Sequence, residues 1–212
     1  EGLATVYTQS CSGGLYGLDH LATEIAVRKA ARAQLTTQAS TIVHRATDGI
    51  AGQSCNIVAE EEALIEYLPD TTILFPGAHL KSSMRLVLAE TASGIIFDSF
   101  LAHDYSGESR RFELFDNSIT ICRPDNVPLA IDRIRVTGDE FSSGRAGIAS
   151  NYTCHGSVLA VAPRADIDEV IVEIRRVLSG VEGCVVGLSR LPRVSGFSAR
   201  ILAHGAVPMR RA

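Results

Sequence analysis

The feature that most constrains this chain is a succession of short β-branched segments, each closed by turn residues, with little helical periodicity between them. Thr41-Ile42-Val43-His44, Cys55-Asn56-Ile57-Val58, Arg85-Leu86-Val87-Leu88, Gly94-Ile95-Ile96-Phe97 and Ser118-Ile119-Thr120-Ile121 are bounded by Gly, Asp, Asn, Ser or Pro. Branched side chains fit a pleated surface and the bounding residues supply turns, so these segments read as strands. From His20 to Gln34 the alternation Leu21, Thr23, Ile25, Val27 reads as one strand in spite of the alanines and arginines around it. One segment has the other period. Ile167, Val170, Ile171, Ile174, Val177 and Leu178 form a helical stripe, with Asp166 and Asp168 near its start and Gly180 just past its end, which predicts a helix over Asp166 to Ser179. No composition break, low-complexity tract or Pro/Ser linker divides the 212 residues, so the expectation is one mainly β domain with one or two α-helices.

Charge and hydropathy exclude two classes of partner. The formal net charge is -4, and no Lys/Arg block exceeds the pairs Arg110-Arg111 and Arg210-Arg211, which leaves no electrostatic footprint for nucleic acid. No stretch approaches the roughly 20 apolar residues that span a bilayer, and the opening EGLATVYTQS lacks the basic start and apolar run of a signal peptide. The expectation is a soluble cytoplasmic protein with neither nucleic-acid nor membrane partners. Five scattered cysteines, Cys11, Cys55, Cys122, Cys154 and Cys184, fit reduced thiols better than a disulfide framework.

Local chemistry is sparse. No Cys-x-x-Cys pair exists and the six histidines are isolated; the adjacent Cys154 and His155 point to opposite faces if their segment is a strand. A cysteine-dependent hydrolase built on Cys154 needs His155 or a distant histidine as base, and SNYTCHGS supplies no known nucleophile elbow, which leaves the hydrolase a remote alternative. The glycines of SGGLYGLD have no Gly-Lys-Ser/Thr or Gly-x-Gly-x-x-Gly context, so a tight turn with Asp19 satisfying turn amides is the default. Glu60, Glu61 and Glu62 alternate faces if extended and read as a solvated acidic edge.

The blocks CSGGLYGLDHL, LTTQASTIVHR, IEYLPDTTILFPGAHL and SGESRRFE, followed by VGLSRLP and GFSARILAH, occur in an order and spacing that resembles the D-type urease accessory proteins, called H in some organisms. The resemblance covers essentially the whole chain. It implies a helix-poor, solenoid-like stack of sheets and a non-enzymatic maturation factor that helps load nickel into apo-urease, binding no cofactor tightly and contacting nickel only transiently. Implied partners are the urease apoprotein, the F-type accessory protein and, through it, the G-type GTPase. The alternative is a purely structural interaction module without metal contact. Gly13, Gly14, Gly17 and Asp19 fall on the family's glycine-aspartate block, Thr37 and Gln38 on its threonine-glutamine block, Pro69 on its Leu-Pro block, and Gly107 and Glu108 on its Gly-Glu block. Motif glycines are usually conformational, which favours fold maintenance for most of this set; Asp19 and Glu108, with His103, are the candidates for transient metal contact. Two departures stand out. Leu18 replaces a frequent second glycine before the aspartate, which bears on the turn, and Ala102-His103 stand where Gly-Arg is frequent, which removes a bidentate guanidinium. The resemblance also implies a single D-type domain over 1–212 that lacks an N-terminal strand-forming segment.

Overall fold

In the computed structural model, which describes residues 2–212, the chain alternates between two facing sheets. The elements up to the middle of the chain are β1 (Ala4–Thr8), β2 (His20–Val27), β3 (Arg32–Thr37), β4 (Ile42–Val43), β5 (Ala51–Ala59), β6 (Leu64–Tyr67), β7 (Thr72–Leu74), β8 (His79–Leu88), β9 (Ser93–Ala102) and β10 (Leu114–Cys122). β11 (Pro128–Thr137), α1 (Gly138–Phe141), β12 (Cys154–Val161), α2 (Ile167–Leu178), β13 (Cys184–Arg190), β14 (Gly196–Ala203) and α3 (Ala206–Arg211) follow. One sheet has the order β1-β3-β6-β9-β12-β14-β13, with β4 and β7 as a side branch; the other runs β11-β10-β8-β5-β2.

Up to β10 the pairings within each sheet are parallel. His20 lies opposite Gly52, Ala51 opposite Leu80 and His79 opposite Leu114, so each coil advances the chain by about 30 residues. This is a β-solenoid-like stack, mainly strand with three helices among the described residues, as the resemblance implied. The later strands close it antiparallel: β11 on β10, and β12, β14 and β13 on β9.

Stacked corners set the register. The turn Arg28–Ala31 sits on Glu60–Ala63, which sits on Ala89–Ala92, joined by Ala30 N to Glu61 O at 2.9 Å, Leu64 N to Ala31 O at 2.9 Å and Ser93 N to Ala63 O at 2.9 Å. The three glutamates are thus a corner and not an extended edge. Glu60 accepts from Arg28 and from Lys29 N at 2.8 Å, and Glu61 accepts from Thr91, bonds that hold both carboxyls below their usual range. The first corner also splits the strand expected over His20 to Gln34 into β2 and β3. Its inward alternation is as read, with Val27 4% exposed, but Ala30 takes φ 59 and turns the chain without a Gly, Pro or Asn to announce it.

The predicted helix is α2, with Asp166 as its N-cap accepting from Asp168 N at 3.1 Å and Glu169 N at 3.3 Å, and Ser179 as its C-cap. Ile167 and Ile171 bury its inner stripe against Ala160 and Phe197 on the outer face of the larger sheet. Helices α1 and α3 bring the total above the one or two expected. The four-residue α1 rests on a capping box between Thr137 and Glu140, and α3 inserts Met209, 1% exposed, beside Cys154 and Ile201.

Candidate functional site

Between the two sheets lie two separate apolar clusters. One gathers Ile57, Ile65, Leu86, Leu88, Ile96 and Ile121; the other is centred on Phe100, whose ring meets Phe112, Phe115 and Phe141 at centroid distances of 5.9, 4.6 and 4.9 Å. What separates them is a layer of polar side chains. On the smaller sheet Gln53, Ser82 and Asn117 are opposite one another in register, and on the larger sheet Asp98, Ser157 and Arg200 are. Residues directly opposite across paired strands share a face, and the Asn117 Nδ2 to Asp98 Oδ2 hydrogen bond, 2.7 Å, shows that this face is the interior.

The layer meets a cavity at one end and an ion pair at the other. At the end nearest β1 a cavity of about 420 Å³ is bounded by Gly13, Gly14, Thr37, Gln38 and Thr41. Past Thr37, Thr41, Gln53 and Tyr67 it adjoins a neck of about 30 Å³, little more than one water, walled by Pro69, Asp70, Ser82, Asp98 and Asn117. Beyond Asp98 the row continues through Ser157 to Arg200, which pairs with Asp132 of β11 beside a surface groove of about 360 Å³.

The electrostatics of this seam follow from its burial. Desolvation, helped by the neighbouring Asp132 carboxylate, pushes the Asp98 carboxyl up to about 6. Desolvation and then the Arg200 guanidinium hold the His155 imidazole down to about 4, against the pull of Asp132; its ring stacks on Phe100 at 5.6 Å. Cys55, hydrogen-bonded to Tyr67, is pushed up to about 11 by burial, so its thiol faces the neck in the protonated form. Ser157 Oγ, on a residue 4% exposed, has no hydrogen-bond partner among the described residues. No three His, Cys, Asp or Glu side chains gather closely enough to hold a metal among the described residues. The seam offers a file of carboxylate, amide and hydroxyl groups without a closed cage.

The residues singled out from the sequence divide into three groups. Gly13, Gly14, Thr37 and Gln38 border the mouth of the seam and Pro69 its neck. Gly14 has φ 136 and a Cβ there would meet Ile42 O at 2.3 Å, while Thr37 Oγ1 accepts from Asp70 N at 2.9 Å and Gln38 N donates to Thr8 O at 3.2 Å. Gly17 and Asp19 form the turn behind the mouth: the exposed Asp19 carboxylate accepts from Tyr16 N at 2.8 Å, the turn-amide role read above, and Leu18 sits there at φ 70. Gly107, at φ 72, and Glu108 lie on an exposed loop after β9, where Glu108 pairs with Arg110 at 3.3 Å. His103 is also exposed, its ring 5.9 Å from Phe75. The structure therefore does not bring Asp19, Glu108 and His103 together, and none of them faces the neck. Sequence reasoning missed Asp98, Asn117 and Ser157. Their signal was a polar residue interrupting an inward-facing apolar alternation, as Asp98 does between Ile96 and Phe100 and Asn117 between Phe115 and Ile119.

Cys154 and His155 do face opposite ways on β12. The thiol packs among apolar groups beside Met209, where burial pushes it up to about 12, and Cys154 and His155 form no thiolate–imidazole couple.

Comparison with known proteins bears on the whole chain. A model of the family described as UreD urease accessory protein matches residues 1–212. The chain is 36% identical over 201 residues to urease accessory protein UreD 1 of Methylorubrum extorquens (strain PA1), covering 95% of this chain and 68% of that protein. It is 32% identical over 212 residues to UreD 3 of Bradyrhizobium sp. (strain ORS 278), covering 99% and 73%, and 30% identical over 211 residues to UreD 1 of Pseudomonas syringae pv. syringae (strain B728a), covering 100% and 74%. The chain belongs to the UreD family of urease accessory proteins, which are maturation factors and not catalysts.

Proposed function

We propose that this protein carries nickel toward apo-urease along the polar seam, as part of a cytoplasmic assembly with urease, the F-type accessory protein and, through it, the G-type GTPase. Nickel is the cargo here and not a resident cofactor. The observation that carries the reading is a polar file between two apolar clusters, entered from a cavity at one end and closed by the Arg200–Asp132 ion pair at the other. Nickel stands high in the Irving–Williams order and clings to His/Cys cages. A transfer protein must release it, and scattered oxygen donors such as Asp98, Asn117 and Ser157 replace hydration water without trapping the ion.

The test is urease co-expressed with the full-length protein and the other accessory proteins, followed by metal analysis of purified urease. Ser82→Leu, which fills the neck, should lower nickel per urease by about tenfold while the protein still co-purifies with its partners. Normal nickel with Ser82→Leu would reject the passage.

A second reading, a docking module without metal contact, draws on a column of rings, the exposed Tyr16 and Tyr105 with the half-buried His44 and Phe75 between them, and on Arg110 over Tyr105 at 5.7 Å. Aromatic and arginine side chains of this kind anchor protein interfaces. Under that reading Tyr105→Ala abolishes co-purification and Ser82→Leu changes nothing.

A further inference from the structure

The end of the seam at β11 and β14 is shut by an ion pair between side chains of unequal freedom. The Asp132 side chain is only 13% exposed and faces inward on β11, whereas the Arg200 side chain is 52% exposed and reaches in from β14 to meet it. Ser157 stands beside Arg200 in the register of β12 and β14, and beside Asp98 in that of β12 and β9. Its hydroxyl, 4% exposed and without a partner among the described residues, is therefore on the inward face between the two carboxylates. A largely buried carboxylate stripped of its counter-charge is unfavourable, so Asp132 favours a cationic partner. At rest the cation is the guanidinium.

Resting on the passage reading above, we propose that the Arg200–Asp132 pair is a displaceable plug at one end of the seam, in which a divalent cation reaching Ser157 takes the place of the guanidinium on Asp132. The exchange makes and breaks no covalent bond. Asp132 exchanges a guanidinium for a metal ion, Ser157 gains the partner it lacks, and Arg200 moves into the groove bounded by Pro128, Pro192 and Ser198, where water solvates it. At equal distance a dication attracts the carboxylate twice as strongly as a guanidinium does, and the seam's oxygen groups replace part of the water it sheds. Departure of the ion lets Arg200 return, so the end closes behind the cargo and the shielded carboxylate is never left bare.

Nickel chloride alone, titrated into the full-length protein by equilibrium dialysis at neutral pH, tests the plug. Arg200→Gln removes the competing cation and should tighten nickel binding by at least about tenfold. In the Arg200→Gln, Asp132→Asn double variant that gain should disappear. Unchanged or weaker binding by Arg200→Gln, or a gain that survives Asp132→Asn, overturns the plug. If Arg200→Gln does not fold, Arg200→Lys carries the test: a lysine loses the planar fork, so binding tightens by a smaller factor if the plug is real and stays at the wild-type value if it is not. Passage and plug fail separately. Normal urease nickel with Ser82→Leu rejects the passage whatever Arg200 does, and dialysis reads the plug without urease.

Discussion

Two buried titratable side chains in the seam pull the pH dependence of stability in opposite directions. Asp98 holds its proton more tightly folded than unfolded: between its ordinary 3.8 and about 6 the folded state carries more protons, so stability falls as pH rises through that window. His155 does the reverse. Between about 4 and its ordinary 6.5 the unfolded state carries more protons, and stability rises with pH. The windows overlap, so the wild-type contributions largely cancel between pH 4 and 6. Asp98→Asn should leave a stability that climbs with pH there, and His155→Leu one that declines, each by up to roughly 1.4 kcal/mol per pH unit. Urea denaturation midpoints at several pH values check this; three parallel profiles would refute it. Leu18 is another residue whose meaning was partly legible. Its departure from the family's glycine flagged the turn, and at φ 70 it occupies a conformation that costs a branched side chain energy, so Leu18→Gly should stabilise by about 0.5–1 kcal/mol in thermal unfolding.

Elements were legible in proportion to how locally they are specified. The α2 helix carries its own stripe and caps within Asp166–Ser179, and its ends were readable to the residue. Asp166→Ala should cost about 1 kcal/mol by loss of two amide bonds, measured as a lowered urea midpoint. Strands were readable as segments, but their boundaries failed where a corner carried no turn residue. Ala30 at φ 59 and Glu62 at φ 63 occupy matching places in stacked corners, held in the left-handed region by Ala30 N to Glu61 O and Glu62 N to Thr91 Oγ1. Those partners lie about 30 residues away, so nothing local marks the turn. The same holds for parallel register, which neighbouring coils fix. Inside the coils the packing is ordinary. Phe100, fully buried between β12, α1 and the smaller sheet, should cost about 3–5 kcal/mol when cut to Ala, and an effect below 1 kcal/mol would mean that the aromatic cluster is not the second core.

At the scale of the molecule the polar layer is the anomaly, and stability alone does not account for it. Asp98 and Asn117 are one hydrogen-bonded pair between sheets, flanked above and below by isoleucines and phenylalanines. Replacing both members of such a pair with apolar groups of similar volume removes two desolvation costs at once and leaves no orphan, which is often neutral or stabilising. Replacing one alone leaves its partner unsatisfied. The layer could not be read from the sequence because Gln53, Ser82, Asp98, Asn117 and Ser157 lie on five strands and meet only once the coils are in register. If the layer exists for transport, fold and function separate cleanly in the Asp98→Val, Asn117→Val double variant. The branched valines suit both strands, and the neck of about 30 Å³ takes up part of their added volume. Its thermal midpoint at pH 7.5 should equal or exceed that of the wild type, because Asp98 no longer has to ionise in a buried place, while nickel in co-expressed urease falls. Asn117→Val alone should be less stable than the double variant, since it strands the carboxylate. A double variant that is markedly less stable than the wild type would mean that the layer holds the two sheets together, and one that is stable and still loads urease normally would mean that nickel does not pass this way.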